Sequence, residues 1–321
     1  MDFKKSKKFL IKIGIAYWAL AAMIYLIAGF SYSYWIVAGG LFLMTSLYVI
    51  YSFKQAKKGF NNYLVALCTL DNKYKFLLKQ LVSRDFKTKY KRSILGMAWS
   101  FINPLLTMSV QYVVFSTIFK SNTQNYPVYL LTGIVFFNFF NEAVNTGMIS
   151  IVSNASLIKK VYVPKYIYPI SKLFSSLTNF GISLIPLFIV MIITGTKISF
   201  SILLLIFDVI CFSGFILGMI MLLSTMMTFF QDTQFLWGVV SMIWMYLTPI
   251  FYTENIIPEK FIEIYHLNPL YQYITFARTC IIDGVSPEPI SYVLSLASAM
   301  IVLTLGIFAF KKNQDKFVLY I

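Results

Sequence analysis

Residues 84–106 read RDFKTKYKRSILGMAWSFINPLL. Arg84, Lys87, Lys89, Lys91 and Arg92 crowd its start, and Trp99, Asn103, Pro104 and an apolar run follow at once. Cations that cannot enter hydrocarbon stand directly against a segment that prefers it. The stretch therefore marks an entry into a lipid bilayer and the side from which entry occurs.

Composition agrees. Of 321 residues, 59% are apolar and 12% charged, whereas a soluble domain carries about 25% charged residues. Such a chain cannot clothe a globule in water and belongs with polytopic helical membrane proteins. The net charge of +15 does not point to nucleic acid, because the cations lie beside apolar spans rather than on a separate basic domain. Cys68, Cys211 and Cys280 lack metal-ligand spacing and fall in different compartments of the layout below, which argues against a disulfide framework. The first apolar stretch follows Lys4, Lys5, Lys7 and Lys8, like the start of a signal peptide. Its length, and a second span close behind it with no convincing cleavage site, predict a retained helix.

Spans of roughly 20 residues, enough to cross about 30 Å of hydrocarbon, are predicted near 10–30, 34–52, 99–119, 129–151, 168–194, 199–229, 235–252 and 290–310. Both termini then lie on one side, the cytoplasmic side by charge. Of 27 Lys and Arg, only Lys120, Lys197, Lys260 and Arg278 fall on the other side. Residues 73–90 place Tyr74, Leu77, Leu78, Leu81, Val82 and Phe86 at helical spacing opposite Lys and Arg, a pattern for a helix in the headgroup layer; a plain juxtamembrane linker is the alternative. Residues 253–289 are too short to span, are broken at Asn268-Pro269 and read as a re-entrant or interfacial segment. Residues 153–169, bounded by Pro164 and Pro169 as stops, form a short amphipathic piece suited to docking in a partner's groove, or an ordinary connecting loop.

Little in the sequence suggests catalysis. It holds no Gly-x4-Gly-Lys-[Ser/Thr] phosphate loop, His266 has no evident nucleophile beside it and reads as structural, and no carboxylate pair is placed for acid–base work. Two acids, Glu142 and Asp208, fall inside spans, where carboxylates are costly and often functional. Glu142 belongs to a polar stripe, Asn138, Asn141, Glu142 and Asn145, that faces protein or a wet cavity. Packing, pathway lining and a proton relay are its open readings. Tyr112, Phe115, Trp237, Trp244 and Tyr246 sit within spans, where rings can stack on sugars or simply pack against lipid.

In order and spacing, residues 84–106, NASLIKKVYVPK at 154–165, Phe230-Gln231-Asp232, Thr248-Pro249-Ile250-Phe251-Tyr252 and Asn268-Pro269-Leu270 followed by Arg278 resemble the membrane subunits of ABC exporters for polysaccharides and teichoic acids. The resemblance covers about residues 75–321. It implies an all-α polytopic membrane protein with a six-helix permease core at 73–321; the two-helix extension at 1–72, with its two extra spans, departs from the family pattern. It further implies an interfacial helix whose Arg84, Lys87, Lys89, Lys91 and Arg92 meet lipid headgroups or substrate phosphate, although orientation by charge alone also explains these cations. Asn154, Ser156, Leu157, Ile158, Lys159 and Lys160 become the ATPase-coupling helix. Pro249, Tyr252, Asn268, Pro269 and Arg278 become the outer gate. Tyr112, Phe115, Asn138, Asn141, Glu142, Asn145, Trp244 and Tyr246 are candidates to line the path.

The implied assembly is a homodimer in a bacterial plasma membrane with two copies of a separate ATPase, which holds ATP and Mg; this chain itself takes no cofactor. Its implied cargo is a lipid-linked glycan polymer. Gln231 departs from the family, which often has Arg there. An ABC drug or lipid exporter of the same fold, and a proton-coupled carrier using Glu142 and Asp208, are the alternatives.

Overall fold

The computed structural model describes residues 72–91, 93–119, 125–161, 163–253 and 265–321, with positions 39, 40, 258 and 262. The predicted spans at 10–30 and 34–52, apart from positions 39 and 40, lie outside the described residues, as does Arg92. Helices α1 (Asn72–Tyr90), α2 (Trp99–Phe119), α3 (Tyr126–Met148), α4 (Ala155–Lys160), α5 (Ile167–Ile193), α6 (Leu205–Phe229), α7 (Thr233–Tyr246), α8 (Pro269–Arg278), α9 (Pro289–Asn313) and α10 (Phe317–Tyr320) follow in order, with no strand among the described residues.

Four stretches are long and apolar enough to cross a membrane: Tyr126–Met148, Ile167–Ile193, Phe200–Phe229 and Pro289–Tyr320. The predicted spans at 129–151, 168–194, 199–229 and 290–310 fall on them. Helix α2 has the bounds predicted for its span but carries Asn103, Thr107 and Gln111 and is not among the four. The span predicted at 235–252 is corrected. Helix α7 has only 14 residues, and the chain leaves helical geometry after Tyr246.

Prolines account for part of this layout. Pro169 does not stop a helix as predicted; it lies in the first turn of α5, where its missing N–H has no intrahelical acceptor to lose. Pro104 lies inside α2 and cannot donate to Ser100 O. Ser183 of α5 donates to that carbonyl instead, at 3.4 Å.

In lipid, helices associate by close packing rather than by the hydrophobic effect, so small residues decide where backbones meet. Helices α6 and α9 touch at Gly218 and Gly306. A Cβ on Gly306 would stand 2.1 Å from Gly218 O, and one on Gly218 would stand 2.5 Å from the backbone of Val302 and Leu303. Elsewhere in the core, Phe136 and Phe140 of α3, Phe212 and Phe215 of α6 and Tyr273 of α8 form a buried aromatic block. Ring centroids lie 5.9 Å apart for Phe136–Phe212 and 4.8 Å for Phe212–Tyr273.

Candidate functional site

Two polar constellations lie at opposite ends of the bundle. At the basic end, α1 is tied into the spans through its charged residues. Lys172 of α5 donates to Asp85 at 2.7 Å, and Arg84 lies 3.1 Å from the same carboxylate. Arg84 also donates to Asn154 Oδ1 at 3.2 Å, while Asn154 Nδ2 donates to Ser150 O at 2.8 Å. Asn154 therefore closes α3 and meets α1 where the chain turns into α4.

One layer further in, Lys89 lies 2.8 Å from the Glu142 carboxylate, which also accepts from Asn179 Nδ2 at 2.6 Å. Tyr90 donates to Asn179 Oδ1 at 3.1 Å and shares a short contact with Ser100 Oγ. Glu142 thus joins α1, α3 and α5 in one network. Its stripe divides: Asn145 donates to Asn141 at 2.7 Å, and Asn138 is exposed. Asp208 is completely buried in α6, and neither of its oxygens has a hydrogen-bond partner among the described residues.

Of the sequence-predicted cations, all four that are described are exposed. Arg84 and Lys89 nevertheless reach Asn154 and Glu142, whereas Lys87 and Lys91 extend outward from α1. Helix α4 covers only part of the amphipathic piece read at 153–169, running from Ala155 to Lys160 after a 3-10 turn. Ser156, Leu157, Lys159 and Lys160 are exposed, but Ile158 packs against the core. Just beyond, Lys165 donates to Gln314 O at 2.5 Å. Burial pulls its ammonium below the ordinary lysine range, with Asp315 opposing the shift.

At the other end, residues 247–253 leave helical geometry, which lipid tolerates only if the freed carbonyls find donors. All four carbonyls from Pro249 to Tyr252 do. Arg278 donates to Pro249 O at 2.8 Å and Ile250 O at 3.0 Å, Tyr126 to Phe251 O at 2.5 Å, and Tyr129 to Tyr252 O at 2.9 Å. The Arg278 guanidinium also stacks 3.4 Å from the Tyr129 ring centroid. A Cβ on Gly133 would stand 2.8 Å from Arg278 Nη2, so the glycine leaves room for the fork. Asn268 caps α8 by accepting from Leu270 N at 3.1 Å, accepts from Trp244 Nε1 at 2.7 Å and donates to Thr248 Oγ1 at 2.9 Å.

Pro249, Tyr252, Asn268, Pro269 and Arg278 therefore meet in one assembly, as does Trp244. Phe115 stacks on Phe251 at 5.7 Å and Tyr112 lies 6.0 Å from Tyr126, at the edge of the same assembly. Tyr246 is exposed, although its carbonyl accepts from Tyr252 at 2.7 Å. Tyr126, Tyr129, Gly133, Asn179 and Lys172 were not legible as site residues, because each acts through a partner far away in the sequence. Asn179, an amide inside an apolar run, carried the best available signal.

A family model for the ABC-2 type transporter matches residues 77–282. The chain belongs to the ABC-2 type transporter family. An O-antigen export system permease protein RfbA of Klebsiella pneumoniae is 30% identical over 247 residues, spanning 75% of this chain and 93% of that protein. A second protein of that name from the same organism is 29% identical over 246 residues, spanning 75% of this chain and 93% of its own. One from Myxococcus xanthus is 25% identical over 246 residues, spanning 76% and 95%. The ABC-2 chain is thus a multi-pass membrane permease subunit and not itself an enzyme; the ATPase is a separate partner subunit. Both constellations fall within or beside the matched residues.

Proposed function

We propose that this chain is the membrane subunit of an ATP-driven exporter of a lipid-linked cell-surface polysaccharide of O-antigen or teichoic-acid type. The observation that carries the reading is similarity along more than nine-tenths of proteins named as O-antigen export permeases. In this reading the basic end faces the cytoplasm with both termini, as loop cations require, and two copies of the chain pair with two ATPase subunits that hold ATP and Mg. Helix α4 receives movement from the ATPase. Asn154 and Arg84 pass it to α1, and Lys89, Glu142 and Asn179 join α1 to α3 and α5. The exposed Lys87 and Lys91 meet anionic headgroups or the substrate's phosphate. The assembly of Arg278 with residues 249–252 is the outer gate.

Residues 1–72 are a separate two-helix extension in this proposal. The proton-carrier alternative loses support at Glu142, whose carboxylate is already held by Lys89 and Asn179. Deleting the gene should leave polymer inside the cell, with surface polymer restored by the parental chain together with its ATPase. A deletion strain with unchanged surface polymer, but lost extrusion of a drug or lipid, would select the other exporter reading.

A further inference from the structure

The chain does not trail away after its last span. A 3-10 turn at Gln314–Lys316 leads into α10, and Phe317 is fully buried, edge-on to Phe310 at 5.1 Å and Phe229 at 6.0 Å. Tyr320 packs 4.8 Å from Phe229. Lys165 fixes the turn from the other side, through its bond to Gln314 O and its position 6.0 Å over the Phe317 ring. Helix α10 accordingly touches both the end of α6 and α4.

The other side of this tail is bare. Val318, Leu319 and Tyr320 are 43%, 81% and 59% exposed, and on neighbouring α4 and its end Leu157 and Val161 are 39% and 54% exposed. Lys159 and Lys160 of α4, Lys312 at the end of α9 and Lys316 in the following turn are also exposed, with Asp315 among them. Apolar surface in water costs about 25 cal/mol per Å², and such patches on a charged background mark contact sites. The tail lies at the end of α6 and directly beside α4, so a protein partner that meets α4 also reaches the tail.

We propose that residues 318–321 and α4 form one composite docking surface for the partner ATPase subunit, apolar at its centre and basic at its edge. It fits an apolar groove bordered by carboxylates. The proposal rests on reading α4 as the coupling helix and adds the C-terminal tail to that interface. Lys165 and Phe317 are its positioning residues: they hold the tail against α4 without touching the partner.

The test uses the full chain assembled with its own ATPase in nanodiscs. A photoreactive benzophenone side chain is placed at position 319 or at position 157. Both positions should cross-link to the ATPase subunit. Leu319→Asp should weaken ATPase assembly roughly tenfold, because a charge buried without a partner is costly, while the melting of the permease alone stays unchanged. Cross-linking at 157 with only phospholipid captured at 319, or parental assembly by Leu319→Asp, overturns the tail's part and leaves the coupling helix standing. Failure at both positions overturns the coupling reading as well.

Discussion

Lys89 Nζ lies 2.8 Å from the carboxylate of Glu142, 53 residues away in sequence. The pair joins an amphipathic helix to the last third of α3, and Asn179 supplies the second donor from α5. A carboxylate inside a span is thereby explained by a named cation and a named amide.

Glu142→Gln should therefore be mild. The amide keeps size and an acceptor for Asn179 while losing the charge, and a half-exposed pair contributes at most about 1 kcal/mol. Export should stay within about fivefold of the parent on that scale, and transport in proteoliposomes should need ATP and the ATPase without any pH gradient. Export that stops when the gradient collapses, at constant ATP, would establish a carrier.

Leu157→Asp and Ile158→Asp should separate. Leu157 is exposed on α4, so its variant should fold normally and lose ATP-dependent export. Ile158 packs against the core, so its variant should lose roughly 2–4 kcal/mol of stability. Melting temperature and ATPase co-purification, measured side by side, check the contrast. Equal melting losses would show that α4 is oriented differently.

Gly133→Ala and Arg278→Lys should both loosen the outer assembly. The alanine methyl would meet Arg278 Nη2 at 2.8 Å, and a lysine ammonium cannot reproduce the planar fork that serves carbonyls of Pro249, Ile250 and Tyr129. A loss of about 1–3 kcal/mol is expected for each. Protease sensitivity near residues 247–253 should rise. Export by Arg278→Lys at the parental rate would remove this arginine from the gate.

Labelling by a membrane-impermeant thiol reagent tests orientation. In a background without native cysteines, Leu267→Cys should react in intact cells, since Leu267 is 80% exposed at the end opposite α4. Lys159→Cys should react only after permeabilisation. Reaction at 159 in intact cells would invert the topology.

Gly306→Leu tests the close crossing of α6 and α9. Even a methyl would stand 2.1 Å from Gly218 O, so the helices must part, and the loss should exceed about 3 kcal/mol. Temperature-dependent detergent extraction followed by size-exclusion chromatography reads it. An undiminished folded fraction would show that the crossing adapts without cost.

The sequence by itself determined the membrane class, the basic end, four of the spans and the family. Each follows from composition and local order: lipid demands long apolar runs, and cations resist crossing it. It also marked Glu142 as a polar group needing an account, while the family resemblance marked Asn268 and Arg278. Tertiary structure alone decided what answers them. That α7 stops at Tyr246 depends on Tyr126, Tyr129 and Arg278 supplying donors to carbonyls that an isolated segment in lipid could not leave bare. That Glu142 is paired, and that the last residues tuck beneath α6 against α4, depend on partners far apart along the chain. A one-dimensional pattern shows that a buried polar group needs a partner; only packing supplies which one.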